Sequence, residues 1–391
     1  MTADDDRWKI RFGQIFQALL AESGQRIEDH LYFIPAGQEL DYNSEKSYDL
    51  IRLHAQNIYY KKYFSVKIPE FQNLSSETVR RLNAAIVMIP GFGHHLISQR
   101  AFGEQISLLE GMGFKVLYAW YEDSFESTAK CAKRVYDIIR RELNGNQDLI
   151  FLTYSKGSPI VVELLADTQY KDVAERTKAV VSIAGALRGT PLASSASSRA
   201  TLRLLKAFRR LSKGKSIIQK IVKGSVKLLS KFRIKFFKEW LELLDKVEEF
   251  ADDLMDLPEG IIDMMRVTVK SKHSHIRLPL SIKLFSISAV YPRKEFERGL
   301  QFISNPDDLF LYISGSELYQ YNVFNDTQLL LPDSQFFPGI GVIVELGVVK
   351  ADHWGIALPN VYSRTYIDPF PRIEMIKAVL IVLDEFFTQE V

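Results

Sequence analysis

Four near-continuous apolar runs alternate with helix-like stretches between residues 84 and 184. No other feature of the chain constrains its fold as tightly. The runs are Ala84-Ala-Ile-Val-Met-Ile89, Phe114-Lys-Val-Leu-Tyr-Ala-Trp120, Asp148-Leu-Ile-Phe-Leu-Thr153 and Ala179-Val-Val-Ser-Ile-Ala184. Residues 100–111, 127–143 and 159–167 carry helical patterns between them. Strands buried on both faces lose the polar alternation of a half-exposed strand. Alternation with helices then implies parallel strands joined by right-handed crossovers. The expected fold class is α/β, with a doubly wound, mostly parallel sheet.

The pattern stops near Ser194 and resumes at residues 280–287 and 342–349. A last helix is expected over 373–387, with Ile376, Val379, Leu380 and Leu383 on one side. Residues 196–275 read as helical and poor in strands. The expected organisation is a core of residues 81–195 and 276–391, interrupted by a helical cap at 196–275. Residues 1–80 are expected to form an N-terminal extension or early sheet elements. They include a helix over 8–21 and a short extended piece at 31–34.

With 391 residues and 47% hydrophobic content, the chain has material for a large core. Cys131 is its single cysteine, which excludes an intrachain disulfide and suits a reducing compartment or a chain too large to need a staple. The first eleven residues are acidic and then basic, without the apolar run of a secretory signal. No stretch approaches the ~18 apolar residues of a membrane-spanning helix. The expectation is a cytoplasmic protein.

The chemistry concentrates in three loops. Thr153-Tyr154-Ser155-Lys156-Gly157 lies between an apolar run and a helix. Ile89-Pro90-Gly91-Phe92-Gly93-His94-His95 follows the first run, and Ala351-Asp352-His353-Trp354-Gly355 follows the last. The first segment resembles the G-x-S-x-G nucleophile elbow of the α/β-hydrolases, with threonine in place of the first glycine. A serine that only caps the following helix is the competing reading. The second segment resembles the oxyanion loop of lipases and esterases, against the plainer reading of a glycine turn. Ala184-Gly-Ala-Leu-Arg-Gly-Thr-Pro-Leu192 is similar to a lipase loop that leads into a lid or cap.

The resemblance implies Ser155 as nucleophile and the backbone amides of Phe92 and Lys156 as oxyanion donors. The family order of serine, acid and histidine makes His353 the base. His273 and His275, the other histidines after Ser155, read as surface residues. For the acid, Asn325-Asp326-Thr327 resembles the Asn-Asp-Gly loop of bacterial lipases, which selects Asp326. Asp326 lies well beyond the 280–287 strand, so an insertion must intervene. Asp307, Asp308 and Asp333 are its rivals, and Asp352 adjoins the base. Neither a metal nor an organic cofactor is implied.

The expected activity is hydrolysis of carboxylic esters, lipase- or phospholipase A-like on acyl chains. A thioesterase or acyltransferase with the same triad is the alternative within enzymes. A lipid- or partner-binding protein on a decayed hydrolase scaffold is the alternative outside them.

Charge adds one more feature. Fourteen of the 50 Lys and Arg fall within residues 199–238, which contain no Asp or Glu. Lys220, Lys223, Lys227 and Lys231 recur at three- and four-residue steps among Ile221, Val222, Leu228 and Leu229. Residues 239–259 reverse the sign. A basic helix packed on an acidic one is one reading. A helix that lies on anionic membrane is the other, and it would make the protein peripheral to the membrane. Nucleic acid is not an expected partner, because no recognised module is present and the rest of the chain is acidic.

Overall fold

A computed structural model describes residues 6–32, 34, 44, 47, 73–92, 94, 101–121, 124–143, 147–194, 259–299, 306–358 and 370–389. In chain order these form α1 (Arg7–Glu22), β1 (Leu31–Tyr32), α2 (Ser76–Leu82), β2 (Ala84–Ile89), α3 (Gly103–Gly111), β3 (Val116–Tyr118) and α4 (Thr128–Glu142). Then come β4 (Asp148–Tyr154), α5 (Gly157–Ala166), α6 (Lys171–Arg176), β5 (Thr177–Ile183), α7 (Pro191–Ser194), α8 (Glu259–Ile262) and α9 (Arg266–His273). The remainder are β6 (Lys283–Val290), α10 (Arg293–Gly299), α11 (Pro306–Tyr321), β7 (Val342–Lys350) and α12 (Arg372–Gln389).

The seven strands form one sheet in the order β1-β7-β6-β5-β4-β2-β3. All neighbours pair in parallel except β1, which pairs antiparallel with β7 at the edge. The apolar runs are central because both faces of the sheet are covered. Along β2, Ala84, Ile86 and Met88 join a core with α1, α3 and α12, while Ala85, Val87 and Ile89 join one with α4 and α5. Every residue of β2 is buried.

The N-terminal helix belongs to the packed structure. Phe12, Ile15, Phe16, Leu19 and Leu20 are buried in the same core as α12, and Arg11 bonds Glu385 on that helix. Between β6 and Asp326 stand α10 and α11, which supply the insertion the sequence requires.

Of the cap expected at 196–275, residues 196–258 lie outside the described residues, as do Lys220, Lys223, Lys227 and Lys231. The described chain on either side of residues 196–258 comes close together. Thr190 donates its amide to the Met264 carbonyl at 2.9 Å and pairs with Met265. Gly189, at φ +81°, packs so closely that a β-carbon there would stand 2.6 Å from the Met264 oxygen. No helix among the described residues is long and apolar enough to cross a membrane.

Candidate active site

Ser155 occupies the turn between β4 and α5 with φ +53°, a left-handed conformation that costs a non-glycine residue on the order of 1–3 kcal/mol. The surroundings hold it there. The Ser155 carbonyl accepts the amides of Ser158 at 3.1 Å and Ala186 at 3.0 Å. Two glycines make the turn sterically possible. A β-carbon on Gly157 would stand 2.5 Å from the Ile89 carbonyl oxygen, and one on Gly91 would stand 2.7 Å from Ser155 Cβ. The elbow and the loop after β2 are therefore pressed together.

Thr153 stands where the family elbow has glycine. Its side chain is fully buried, and its hydroxyl lies 2.7 Å from Ser158 Oγ and 3.2 Å from the Val181 carbonyl oxygen. Ser158 Oγ in turn lies 2.8 Å from Ser182 Oγ. The larger residue is accommodated because its polar atom enters this buried hydroxyl chain.

His353 Nε2 lies 2.9 Å from Ser155 Oγ, and its Nδ1 lies 2.6 Å from Asp326 Oδ2. The second carboxylate oxygen of Asp326, Oδ1, accepts the amides of Gln328 at 3.0 Å and Leu329 at 2.6 Å. The His353 amide also donates to the Asp326 carbonyl at 2.6 Å. Asp326 and His353 are both about 1% exposed, so this chain of bonds is shielded from bulk water. Tyr154 supports the histidine from below. Its hydroxyl donates to the His353 carbonyl at 2.6 Å, and its ring lies 5.0 Å from the imidazole. Burial, reinforced by Asp326 and Asp352, holds the Tyr154 phenol well above its ordinary pKa, so it stays a donor.

The loop that carries Asp326 contains a strained residue. Thr327 has φ +81°, where the family loop has glycine. Its amide donates to Asn325 Oδ1 at 2.9 Å, while its own hydroxyl is buried with no hydrogen-bond partner. Gly315 on α11 leaves room for it and for Phe296, since a β-carbon there would stand 2.7 Å from the Phe296 ring and 3.2 Å from Thr327 Cβ.

The rival carboxylates are placed elsewhere. Asp352 Oδ1 accepts the amides of Trp354 and Gly355 at 3.0 and 2.9 Å, which shapes the turn carrying His353. Burial raises its pKa, against the lowering effect of those amides. Asp333 pairs with Arg266 at 3.1 Å. Burial pushes its carboxyl up to about 7, although Arg266 and Arg188 oppose the shift. Asp307 and Asp308 fall on α11, at positions whose side chains lie outside the described residues.

Phe92 and Lys156 flank Ser155 from two loops. Phe92 borders the same recess as Ser155, His353, Gln328 and Trp354, and its ring packs edge-on against Phe125 at 4.8 Å. Lys156 opens the turn into α5. Its side chain is fully buried, with Nζ donating to the Ser124 carbonyl at 2.7 Å and the Glu126 carbonyl at 2.6 Å. It thus ties the elbow to the loop before α4. The positive end of α5 lies beside Ser155 as well.

One expectation needs correction. His273 is not a surface histidine: it is 2% exposed, and its Nε2 lies 3.0 Å from Glu163 Oε1. The chain beyond 259 returns to the core, where His273 reaches Glu163 on α5. His275 is exposed, as expected. Tyr154 and His94 were not singled out by sequence. Tyr154 carried a signal, its place directly before the serine; His94 had only its position three residues after Gly91.

The sheet, its crossovers and the turn after β4 are those of the α/β-hydrolase fold. No protein-family model matches the chain, and no curated protein matches it. Among solved structures it is similar to a metagenomic carboxyl esterase at 19% identity, over 96% of this chain and 91% of that one, with TM-score 0.61. It also aligns with lipase 1 from Pelosinus fermentans at 13% identity, over 78% of this chain and 99% of that one, with TM-score 0.49. EstA from Clostridium botulinum aligns at 9% identity, over 83% and 94%, with TM-score 0.49. The first likeness establishes the fold; likenesses at such identities carry no substrate.

Proposed function

We propose that the protein is a serine hydrolase of carboxylic esters, with Ser155 as nucleophile, His353 as general base and acid, and Asp326 as the orienting acid. The single observation that carries this reading is the continuous contact from Ser155 Oγ through His353 to Asp326, at 2.9 and 2.6 Å.

The chemistry follows from the atoms in contact. Ser155 Oγ attacks the acyl carbon while His353 Nε2 takes its proton. The Asp326 carboxylate fixes the tautomer with the proton on Nδ1 and stabilises the imidazolium that forms. The amides of Phe92 and Lys156 are assigned to the developing oxyanion. Such donors matter because the oxyanion exists only as the transition state is reached. His353 then returns the proton to the leaving alcohol, and water releases the acyl group by the same steps in reverse order.

Acyl-chain esters are the proposed substrates, on the strength of the apolar residues interleaved through the cap segment. Reaction with a fluorophosphonate probe and hydrolysis of p-nitrophenyl esters test the assignment. Both should be lost in Ser155→Ala with the fold retained. A wild-type protein that neither labels nor turns over would be a binding protein on a hydrolase scaffold.

A further inference from the structure

Two side chains, those of Tyr121 and His94, meet successive carbonyls of the loop after β2. Tyr121 is buried and donates its hydroxyl to the Pro90 carbonyl at 3.2 Å. His94 is 4% exposed, with Nδ1 2.9 Å from the Gly91 carbonyl oxygen and Nε2 2.9 Å from the Tyr121 carbonyl oxygen. A carbonyl oxygen only accepts, so a ring nitrogen bonded to one must carry a proton. The ring sits edge-on to Trp120 and Tyr121, with centroids 4.5 Å away in each case, which restricts its rotation.

The Gly91 carbonyl is one end of a peptide unit, and the other end is the Phe92 N–H. The unit is planar and trans, so the two groups point in opposite directions and turn together. Glycine leaves that unit unusually free to rotate. It cannot be replaced by a stiffer residue, because a β-carbon at position 91 would meet Ser155. An external donor on the carbonyl fixes the direction of the N–H directly. It also polarises the peptide, which strengthens the N–H as a donor.

We propose that His94 is a positioning residue for ester hydrolysis. By donating Nδ1–H to the Gly91 carbonyl, it holds the Phe92 amide toward the oxyanion. The inference rests on the reading of Ser155 as nucleophile and the Phe92 amide as oxyanion donor. It requires only the proton on Nδ1; a ring carrying both protons satisfies both carbonyls.

Two variants separate positioning from bulk packing. The side-chain nitrogen of asparagine reaches the place of Nδ1, so His94→Asn keeps the Gly91 bond. The nitrogen of glutamine reaches the place of Nε2, so His94→Gln keeps the Tyr121 bond and gives up the other. With a p-nitrophenyl ester, His94→Gln should lower kcat about 100-fold, the scale of losing one oxyanion donor, with KM changed less than about threefold. Affinity for a boronic acid that forms a tetrahedral adduct should fall in parallel. His94→Asn should recover kcat to within roughly tenfold of wild type. In wild-type protein labelled with 15N-histidine, Nδ1 of His94 should be protonated at neutral pH, a measurement that needs no variant to fold.

An unprotonated Nδ1 would overturn the proposal. Equal kcat in wild type and His94→Gln, equal losses in both variants, or a loss confined to KM would do the same. If the wild type neither hydrolyses esters nor reacts with fluorophosphonate, the hydrolase reading falls and this inference with it. If it does both and the two variants match it, only the role of His94 falls.

Discussion

Thr153 Oγ1 lies 2.7 Å from Ser158 Oγ, so the residue two before Ser155 is tied to the residue three after it across the turn. The bond spans the left-handed Ser155 and closes the elbow from beneath. Thr153→Val keeps the shape and removes the hydroxyl, leaving Ser158 short of a buried partner. The expected cost is about 1–3 kcal/mol, read as a lower melting temperature, with the nucleophile still reactive. An unchanged melting temperature would mean that the hydroxyl chain does not support the turn.

His353→Ala should be as damaging as Ser155→Ala, with a loss on the order of 10⁴-fold or more, and the double variant little worse. Residues that act in one mechanism are not additive. If the two losses multiply in the double variant, the residues act separately. Asp326→Ala should cost less than either, because the histidine still contacts Ser155 without its orienting partner. Full activity in that variant would move the acid to another carboxylate.

Thr327→Gly should stabilise the protein by roughly 1 kcal/mol and leave ester turnover within a few-fold of wild type. A β-branched residue at φ +81° is strained, and its buried hydroxyl is unsatisfied. Glycine removes both costs, offset in part by greater freedom in the unfolded chain. A lower melting temperature would show that the packing of Thr327 against α11 outweighs the strain.

Asp333 should make stability depend on pH. Its carboxyl is raised to about 7 by burial, above an unfolded value of about 4. Between these values the folded chain keeps a proton that the unfolded chain has lost, so stability falls as pH rises through that window and is level above it. The effect is at most on the order of 4 kcal/mol. Asp333→Asn removes it. Relative to wild type, the variant should therefore gain melting temperature between pH 4.5 and pH 8. A difference independent of pH, or one of opposite sign, would rule out an elevated Asp333.

The basic segment yields a prediction from sequence alone. If residues 199–238 lie on anionic membrane, the protein should co-sediment with phosphatidylserine vesicles, more weakly at high salt and more weakly still with neutral vesicles. Each basic residue near such a surface contributes about 1 kcal/mol, and salt screens it. Replacing Lys220, Lys223, Lys227 and Lys231 with Gln should weaken binding and spare hydrolysis of a short soluble ester. Negligible binding throughout, with a lower melting temperature in the variant, would place the segment against its acidic neighbour instead.

The strands were legible because burial on both faces leaves a mark that needs no partner to be read. The run 84–89 coincides with β2, and 148–153 and 342–349 fall within one residue of β4 and β7. The edges were less legible. Of the extended piece, Leu31 and Tyr32 are the described residues that pair with β7, and a two-residue strand has no period to detect. Helix α11 bears almost no one-sided pattern, and the sequence marked its place only as an insertion before Asp326.

The sequence by itself determined which residue types stand at the ends of the strands: Ser155 after β4, His353 after β7, and glycines at 91 and 157. Local chain geometry dictates those positions, since a tight strand-to-helix turn admits few residues wherever it occurs. The sequence selected Asp326 only through a loop resemblance, and the tertiary structure decided which carboxylate reaches His353, because Asp326, Asp333 and Asp352 differ in neighbours drawn from distant segments. It also decided how threonine substitutes for glycine at 153 and 327. At 153 the answer was a hydroxyl chain with Ser158 and Ser182, and at 327 a gap left by Gly315 on a helix twelve residues upstream. Both depend on through-space contacts that no reading along the chain contains.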